Sequence, residues 1–168
     1  MQQFEIEYAR LIQKVLREGE VRVGRNGQTT SFFGMSITLE HLDEYFPLIQ
    51  GRKMYLQGIL GEFAAFVRCP TNVKDFEQLG CNYWEKWADK GTGELRIDYG
   101  NTWFDFEGFN QIERLKYNLA NNPNNRRMIV SSWRPHKQDE LSLPCCHYNY
   151  QFYVRNSEYL DMVWTQRS

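Results

Sequence analysis

Pro144-Cys145-Cys146-His147-Tyr148-Asn149-Tyr150-Gln151-Phe152-Tyr153-Val154 is the stretch whose reading decides the fold, because it joins a thiol to a strand. A proline-led loop runs into side chains that alternate with the period of a half-buried strand. Arg155-Asn156-Ser157-Glu158 is a polar turn, and Tyr159 to Trp164 supplies a second strand. The pair predicts a hairpin, with Gln166-Arg167-Ser168 just beyond it. A thiol therefore stands at the mouth of one strand, and an arginine follows the end of the next. A thiolate beside guanidinium groups suits attack on an electron-poor carbon in an anionic substrate. Sulfur is nucleophilic only when ionised, and nearby positive charge favours that form.

Composition bounds what surrounds this hairpin. At 168 residues the length predicts one domain, spanning 1–168, with a core that needs neither disulfide nor metal. Hydrophobic residues make up 42%, which excludes a disordered chain. Aromatics reach 15%, enough for a dense core and for walls that stack on flat ligands. Twenty basic residues against 21 acidic ones leave a net charge of −1, which argues against a nucleic-acid interface. Any anion site must be local. The four cysteines, Cys69, Cys81, Cys145 and Cys146, include no CxxC pair, so no metal is expected, and neighbouring cysteines make a poor disulfide. Met1 to Leu16 carries charges throughout, unlike a signal peptide, and no apolar run is long enough to cross a bilayer. The expectation is a cytoplasmic protein with free thiols and no membrane contact.

Elsewhere, Phe4, Tyr8, Leu11, Ile12, Val15 and Leu16 recur at helical spacing and predict an amphipathic helix ending near Gly19. Val21 to Gly34 reads as a loop around Gly24-Arg25-Asn26-Gly27. Phe33, Met35, Ile37 and Leu39 alternate as a strand would. Met54 to Val67 is apolar nearly all round and reads as a buried helix. Phe109, Ile112, Leu115 and Leu119 mark another amphipathic helix, stopped at Asn121-Asn122-Pro123, and Met128 to Val130 reads as a buried strand. With no linker or repeat, the fold class is α/β.

Four sets of residues invite chemistry. Glu62 interrupts the apolar helix, where a carboxylate is costly unless paired or neutralised; a side chain reaching solvent is the plainer alternative. Cys145 and Cys146 compete as the nucleophile, and either can equally be a core filler. Arg25, Arg126, Arg127 and Arg167 fall outside ordinary helix faces. Together they offer forked donors to a phosphate, and singly they are solvated surface residues. Trp84 and Trp87 are three apart, the spacing of a core stripe or of a stacking wall.

The segment Asn122-Pro123-Asn124-Asn125-Arg126-Arg127-Met128-Ile129-Val130-Ser131-Ser132-Trp133 resembles the thymidylate synthase family. So does Leu143-Pro144-Cys145-Cys146-His147, continuing through Gln151-Phe152-Tyr153-Val154 to Gln166-Arg167-Ser168. Fainter likenesses lie at Arg25 with Gly27 and Ser31-Phe32-Phe33-Gly34, at Phe46-Pro47-Leu48, at Ile59-Leu60-Gly61-Glu62, at Trp84-Glu85-Lys86-Trp87-Ala88 and at Tyr99-Gly100. Together they follow the family's order along nearly the whole chain.

The resemblance implies a mixed β-sheet with flanking helices and the reductive methylation of dUMP to dTMP, with 5,10-methylenetetrahydrofolate as co-substrate. It favours Cys146, directly before His147, as the nucleophile that adds to C6 of the pyrimidine. Glu62 matches the carboxylate that orders water and assists proton transfer. Arg25 and Arg167 match phosphate ligands, with Gln166 and Ser168 beside them. Arg126 and Arg127 match the pair reaching the neighbouring subunit's phosphate, which implies a homodimer with shared sites. Tyr99 matches a residue near the reacting ring. Trp84 and Trp87 match the folate side, and Tyr55 stands where many members have a folate-contacting histidine.

That substitution, a shortened stretch after Arg25, and Thr102 and Phe104 in place of polar residues suggest a divergent, phage-like branch. The family's later aspartate, its base-reading asparagine and its His-x-Tyr lie beyond Ser168, so the chain is expected to be C-terminally incomplete. Two alternatives accompany the methyltransferase expectation. One is a hydroxymethylase acting on dUMP or dCMP; the other is a non-catalytic fragment that only dimerises or needs a partner piece.

Overall fold

The computed structural model describes residues 3–24 and 27–167. The chain divides into two compact units, 1–54 and 55–168, and each is described by itself.

The first unit opens with α1 (Gln3–Glu18), the helix that the apolar spacing from Phe4 onward predicts. The Gly19 N–H closes its last turn on the Val15 carbonyl at 2.9 Å. Next come β1 (Glu20–Gly24) and β2 (Gly27–Ser31), paired antiparallel from Glu20↔Ser31 to Gly24↔Gly27. A hairpin thus replaces the loop expected from 21 to 34. Gly27, at φ +100°, supplies a backbone conformation that L-residues resist, and so allows the chain to reverse. The strand expected across Phe33, Met35, Ile37 and Leu39 does not form, and Phe33 is 98% exposed. Alternating side chains need a ladder partner to make a strand, and Gly34, at φ +78°, turns the chain out of the extended conformation.

The second unit holds α2 (Leu56–Val67), α3 (Val73–Glu77), α4 (Tyr99–Phe104), α5 (Gln111–Asn121), β3 (Ile129–Ser131), β4 (His147–Arg155) and β5 (Tyr159–Gln166). The strands form one antiparallel sheet in the order β3-β4-β5. The expected hairpin is β4–β5, registered from His147↔Gln166 to Arg155↔Tyr159, with an irregularity between His147 and Asn149. The mixture of helices and strands agrees with the α/β expectation. The described strands, however, lie in two small antiparallel sheets and not in one mixed sheet.

Short polar side chains start α3 and α5. Asn72 and Asp75 close a capping box on α3, and the Asn110 side chain accepts the Glu113 N–H at the start of α5. Gln111 ties α5 to β3, donating to the Ser131 carbonyl at 2.8 Å and accepting the Ser131 N–H at 2.9 Å.

The core is aromatic. Phe66 stacks on Tyr99 with ring centres 4.6 Å apart, and Phe76 stacks on Trp84 at 5.0 Å. Gly100 explains how α2 and α4 come so near: a Cβ there would overlap the Phe66 carbonyl, so only glycine admits this approach. The buried-helix expectation for 54–67 needs correction. Only Gly58, Gly61, Ala65 and Phe66 of α2 are buried, and Phe63 is 59% exposed. An all-apolar helix has more greasy surface than this one core covers.

Candidate active site

Cys146 lies half-buried immediately before β4. Its N–H donates to the Tyr99 hydroxyl oxygen at 2.7 Å, so α4 holds the entrance of the strand. The two thiols differ sharply. Cys145 is fully buried, with its Sγ against the Ser132 carbonyl at 3.6 Å. Burial pushes that thiol up to about 11, and the charge of Asp98 adds to the rise. At neutral pH Cys145 is a protonated core residue, which leaves Cys146 as the accessible sulfur of the pair.

The β4–β5 hairpin carries Gln166 and Arg167 back to this thiol. Gln166 pairs across from His147 and is exposed. The Arg167 N–H donates to the Cys146 carbonyl at 2.8 Å. Its guanidinium donates through Nε to the Cys145 carbonyl and through Nη2 to the Pro144 carbonyl, each at 3.1 Å, and lies 5.6 Å from the Trp133 ring centre. A guanidinium has five N–H donors, so two anchor it and others remain for an anion.

His147 supplies no charge here. Burial holds it down to about 4, among Tyr99 at 4.4 Å, Trp164 at 5.0 Å and a hydrogen-bonded Tyr150 hydroxyl. Near neutral pH it is an uncharged ring, and the nearby cation is Arg167, held on the Pro144 and Cys145 carbonyls. Burial raises the Tyr99 phenol above its ordinary value, and its hydrogen bond with the Cys146 side chain adds to that rise. The phenol therefore stays protonated and can donate to a thiolate.

Glu62 on α2 joins this group through Trp84. The indole Nε1 donates to Glu62 Oε1 at 2.8 Å, and the Trp84 ring meets Tyr99 edge-on at 5.9 Å. Burial raises the Glu62 carboxyl, and the bond from Trp84 partly opposes the rise. A carboxyl moved toward neutrality is better suited to give and take protons.

Other expected site residues stand apart. Trp84 is buried in the core, while Trp87, at 5.5 Å from it, is half-buried under the Lys86 ammonium. Tyr55 is exposed, its ring edge toward Tyr83 and its hydroxyl on the Gly80 carbonyl at 3.4 Å. Arg126 and Arg127 lie exposed on the turn before β3. Met128, the next residue, accepts the Phe152 N–H at 2.8 Å, so the arginine pair sits at the Phe152 end of β4. Six residues of strand separate that level from Cys146, roughly 20 Å. Arg25 and Ser168 fall outside the described residues.

The family model for thymidylate synthase matches residues 6–168. The chain belongs to the thymidylate synthase family. Thymidylate synthases are typically enzymatic methyltransferases that bind dUMP and use methylenetetrahydrofolate. Among the described residues of this family member, no cluster of His, Cys, Asp or Glu could hold a metal ion, and no helix is long and apolar enough to cross a membrane.

Sequence reasoning missed one feature beside the thymidylate synthase motifs. Asp98 is fully buried, and its Oδ1 accepts from Arg134 Nε at 3.1 Å and from Arg134 Nη2. The local sequence gives little sign of it: Asp98 stands between Ile97 and Tyr99, but Arg96 and Glu94 alternate with apolar residues just before it.

Proposed function

We propose that this chain transfers a one-carbon unit from 5,10-methylenetetrahydrofolate to C5 of dUMP, giving dTMP, and that it acts as a cytoplasmic homodimer. The observation that carries the reading is the return of β5 to Cys146: Arg167 is held on the Cys145 and Cys146 carbonyls, while the Tyr99 hydroxyl of α4 accepts the Cys146 N–H.

In this reading the Cys146 thiolate adds to C6 of the pyrimidine, and the electron pair released toward C5 makes that carbon nucleophilic. Arg167 binds the phosphate, with Gln166 beside it; Arg25 and Ser168 belong to the same proposal. Tyr99 donates to the sulfur, and Glu62 orders water and moves protons at the ring. The folate supplies the carbon and the hydride. Tyr55, Trp84 and Trp87 line its side, and the exposure of Tyr55 suits stacking on a flat ring.

Arg126 and Arg127 serve the partner's phosphate. Their position at the opposite end of β4 supports this, because a guanidinium cannot span roughly 20 Å of strand to its own thiol. One domain over 1–168 belongs to the same proposal.

The test is incubation with 5-fluoro-dUMP and methylenetetrahydrofolate, followed by peptide mass spectrometry. A stable adduct on Cys146, placed by fragmentation of the peptide that also carries Cys145, is the expected result, and a modification at another cysteine, or none, sinks the reading. With dUMP itself, dihydrofolate should appear in step with dTMP. Hydroxymethylation of dUMP or dCMP would form none.

A further inference from the structure

We propose that the buried Asp98–Arg134 pair is a positioning device for Cys146, acting through Tyr99; this rests on the reading of Cys146 as the nucleophile. Asp98 occupies the N-cap position of α4, yet its side chain makes no cap hydrogen bond. Aspartate is favoured at that position because its carboxylate usually accepts a backbone N–H of the first turn. Here the carboxylate is turned instead to the Arg134 guanidinium, 36 residues further along the chain. The Asp98 backbone carbonyl, in turn, accepts the Thr102 hydroxyl.

The start of α4 is thereby held from two sides, and the next residue is Tyr99. Its ring is confined by Phe66 and His147, so its hydroxyl has little freedom except through movement of the helix start. That hydroxyl accepts the Cys146 N–H. The link runs from Arg134 to Asp98, through one peptide to Tyr99, and across one hydrogen bond to the residue bearing the sulfur.

A purely structural account leaves two facts without a cause. Exchanging a buried ion pair for packed apolar side chains is often neutral or stabilising, so stability alone is a weak reason for this pair. In addition, Asp98 Oδ2 is buried with no hydrogen-bond partner, a cost that a stability-optimised pair would avoid. A two-pronged grip on one oxygen fixes direction at the expense of the other oxygen. Arg134 keeps part of its side chain in contact with solvent and lines a cleft of about 650 Å³ with Arg96, Asn101 and Lys137. The cation side of the pair therefore tolerates substitution better than the carboxylate side.

The experiment measures iodoacetamide alkylation of the intact chain, resolved by residue through peptide fragmentation, for Cys146 and for the buried Cys81. Tyr99→Phe should slow Cys146 about fivefold. Arg134→Ala should slow it by a similar factor, and the double variant should be no slower than either single one, because both act through one hydrogen bond. Arg134→Lys keeps the charge but loses the fork, and should fall between wild type and Arg134→Ala.

Cys81 should stay protected in every folded variant. If Arg134→Ala exposes Cys81, the chain has opened, and Arg134→Lys combined with Tyr99→Phe then decides. Wild-type Cys146 rates in Arg134→Lys, or losses that multiply with that of Tyr99→Phe, overturn the proposal. The 5-fluoro-dUMP adduct separates the two readings. Its absence from wild type, with the alkylation pattern intact, removes the methyltransferase reading and leaves the positioning link standing.

Discussion

Residues 1–54 and 55–168 share a composition of helices and a hairpin, but they differ in what they bury. In the first unit only Phe4 and Glu5 are buried among the described residues. The second holds the continuous core of Phe66, Phe76, Trp84, Tyr99, Trp103 and Tyr150. Local pattern can make a helix or hairpin in either unit. A site that holds a sulfur at a defined angle needs the rigid surroundings that only the second provides.

The largest effect separates the two sulfurs of the second unit. Cys146→Ser should abolish the 5-fluoro-dUMP adduct, a loss of over about a hundredfold, because a hydroxyl is a far weaker nucleophile than a thiolate. Cys145→Ser should retain it, since that side chain is buried and protonated. Mass spectrometry of the whole chain distinguishes them. An adduct surviving in Cys146→Ser would assign the chemistry to another residue.

Core truncation comes next. Phe76 is fully buried between Phe66 and Trp84, so Phe76→Ala should cost about 3–5 kcal/mol in urea unfolding. The matching change in the first unit, Phe33→Ala, should stay within about 0.5 kcal/mol, the range for exposed sites. Equal losses would show that Phe33 is covered in solution and would erase the contrast between the units.

Acid sensitivity should be smaller and should trace to the second unit. His147 is held down to about 4 against an ordinary 6.5, so between these values the unfolded chain binds more protons than the folded one. Stability should therefore rise with pH across that window and be lost as pH falls through it. A shift of this size, discounted for the part of the ring that water reaches, is worth roughly 1–2 kcal/mol. Glu62 acts in the opposite sense. Its carboxyl is raised above 4.5 by burial, so the folded chain holds the extra proton and stability declines as pH climbs past 4.5. Urea unfolding at pH 4.5 and 6.5 should show a shallower pH dependence in His147→Gln and a steeper one in Glu62→Gln. Parallel slopes in all three proteins would remove both groups from the acid response.

What could be read from the chain divides along the same line. The β4–β5 hairpin was legible because alternation, a polar turn and a second apolar run agree. Agreement among independent local signals is what makes a segment predictable. The helix from Gln3 and the one from Gln111 were legible for the same reason. The strand over Phe33 to Leu39 failed because alternation describes a face, and nothing local says whether a partner will bond to it. The loop around Gly24–Gly27 concealed a hairpin because only Val21 and Val23 alternate in its two strands, and neither is buried. At the site, the approach of Arg167 to Cys146 was legible through the hairpin that joins them. The Asp98–Arg134 pair was not, since 36 residues separate its members and no spacing rule links them.

The last prediction concerns the stripe on α1. Tyr8, Ile12 and Leu16 stand exposed, Leu16 by 74%, although their spacing is that of a helix made to pack. Leucine and alanine differ little in helix propensity, so Leu16→Ala should shift stability by no more than about 0.5 kcal/mol if water covers that position. If a second copy of the chain covers it, the same change should cost about 2 kcal/mol or more, and the loss should vary with protein concentration. Unfolding of both proteins over a hundredfold concentration range separates these outcomes. A small, concentration-independent shift keeps the first unit as the unburied half of the comparison. A large, concentration-dependent one means that its core is completed between chains, and that α1 was a packing helix all along.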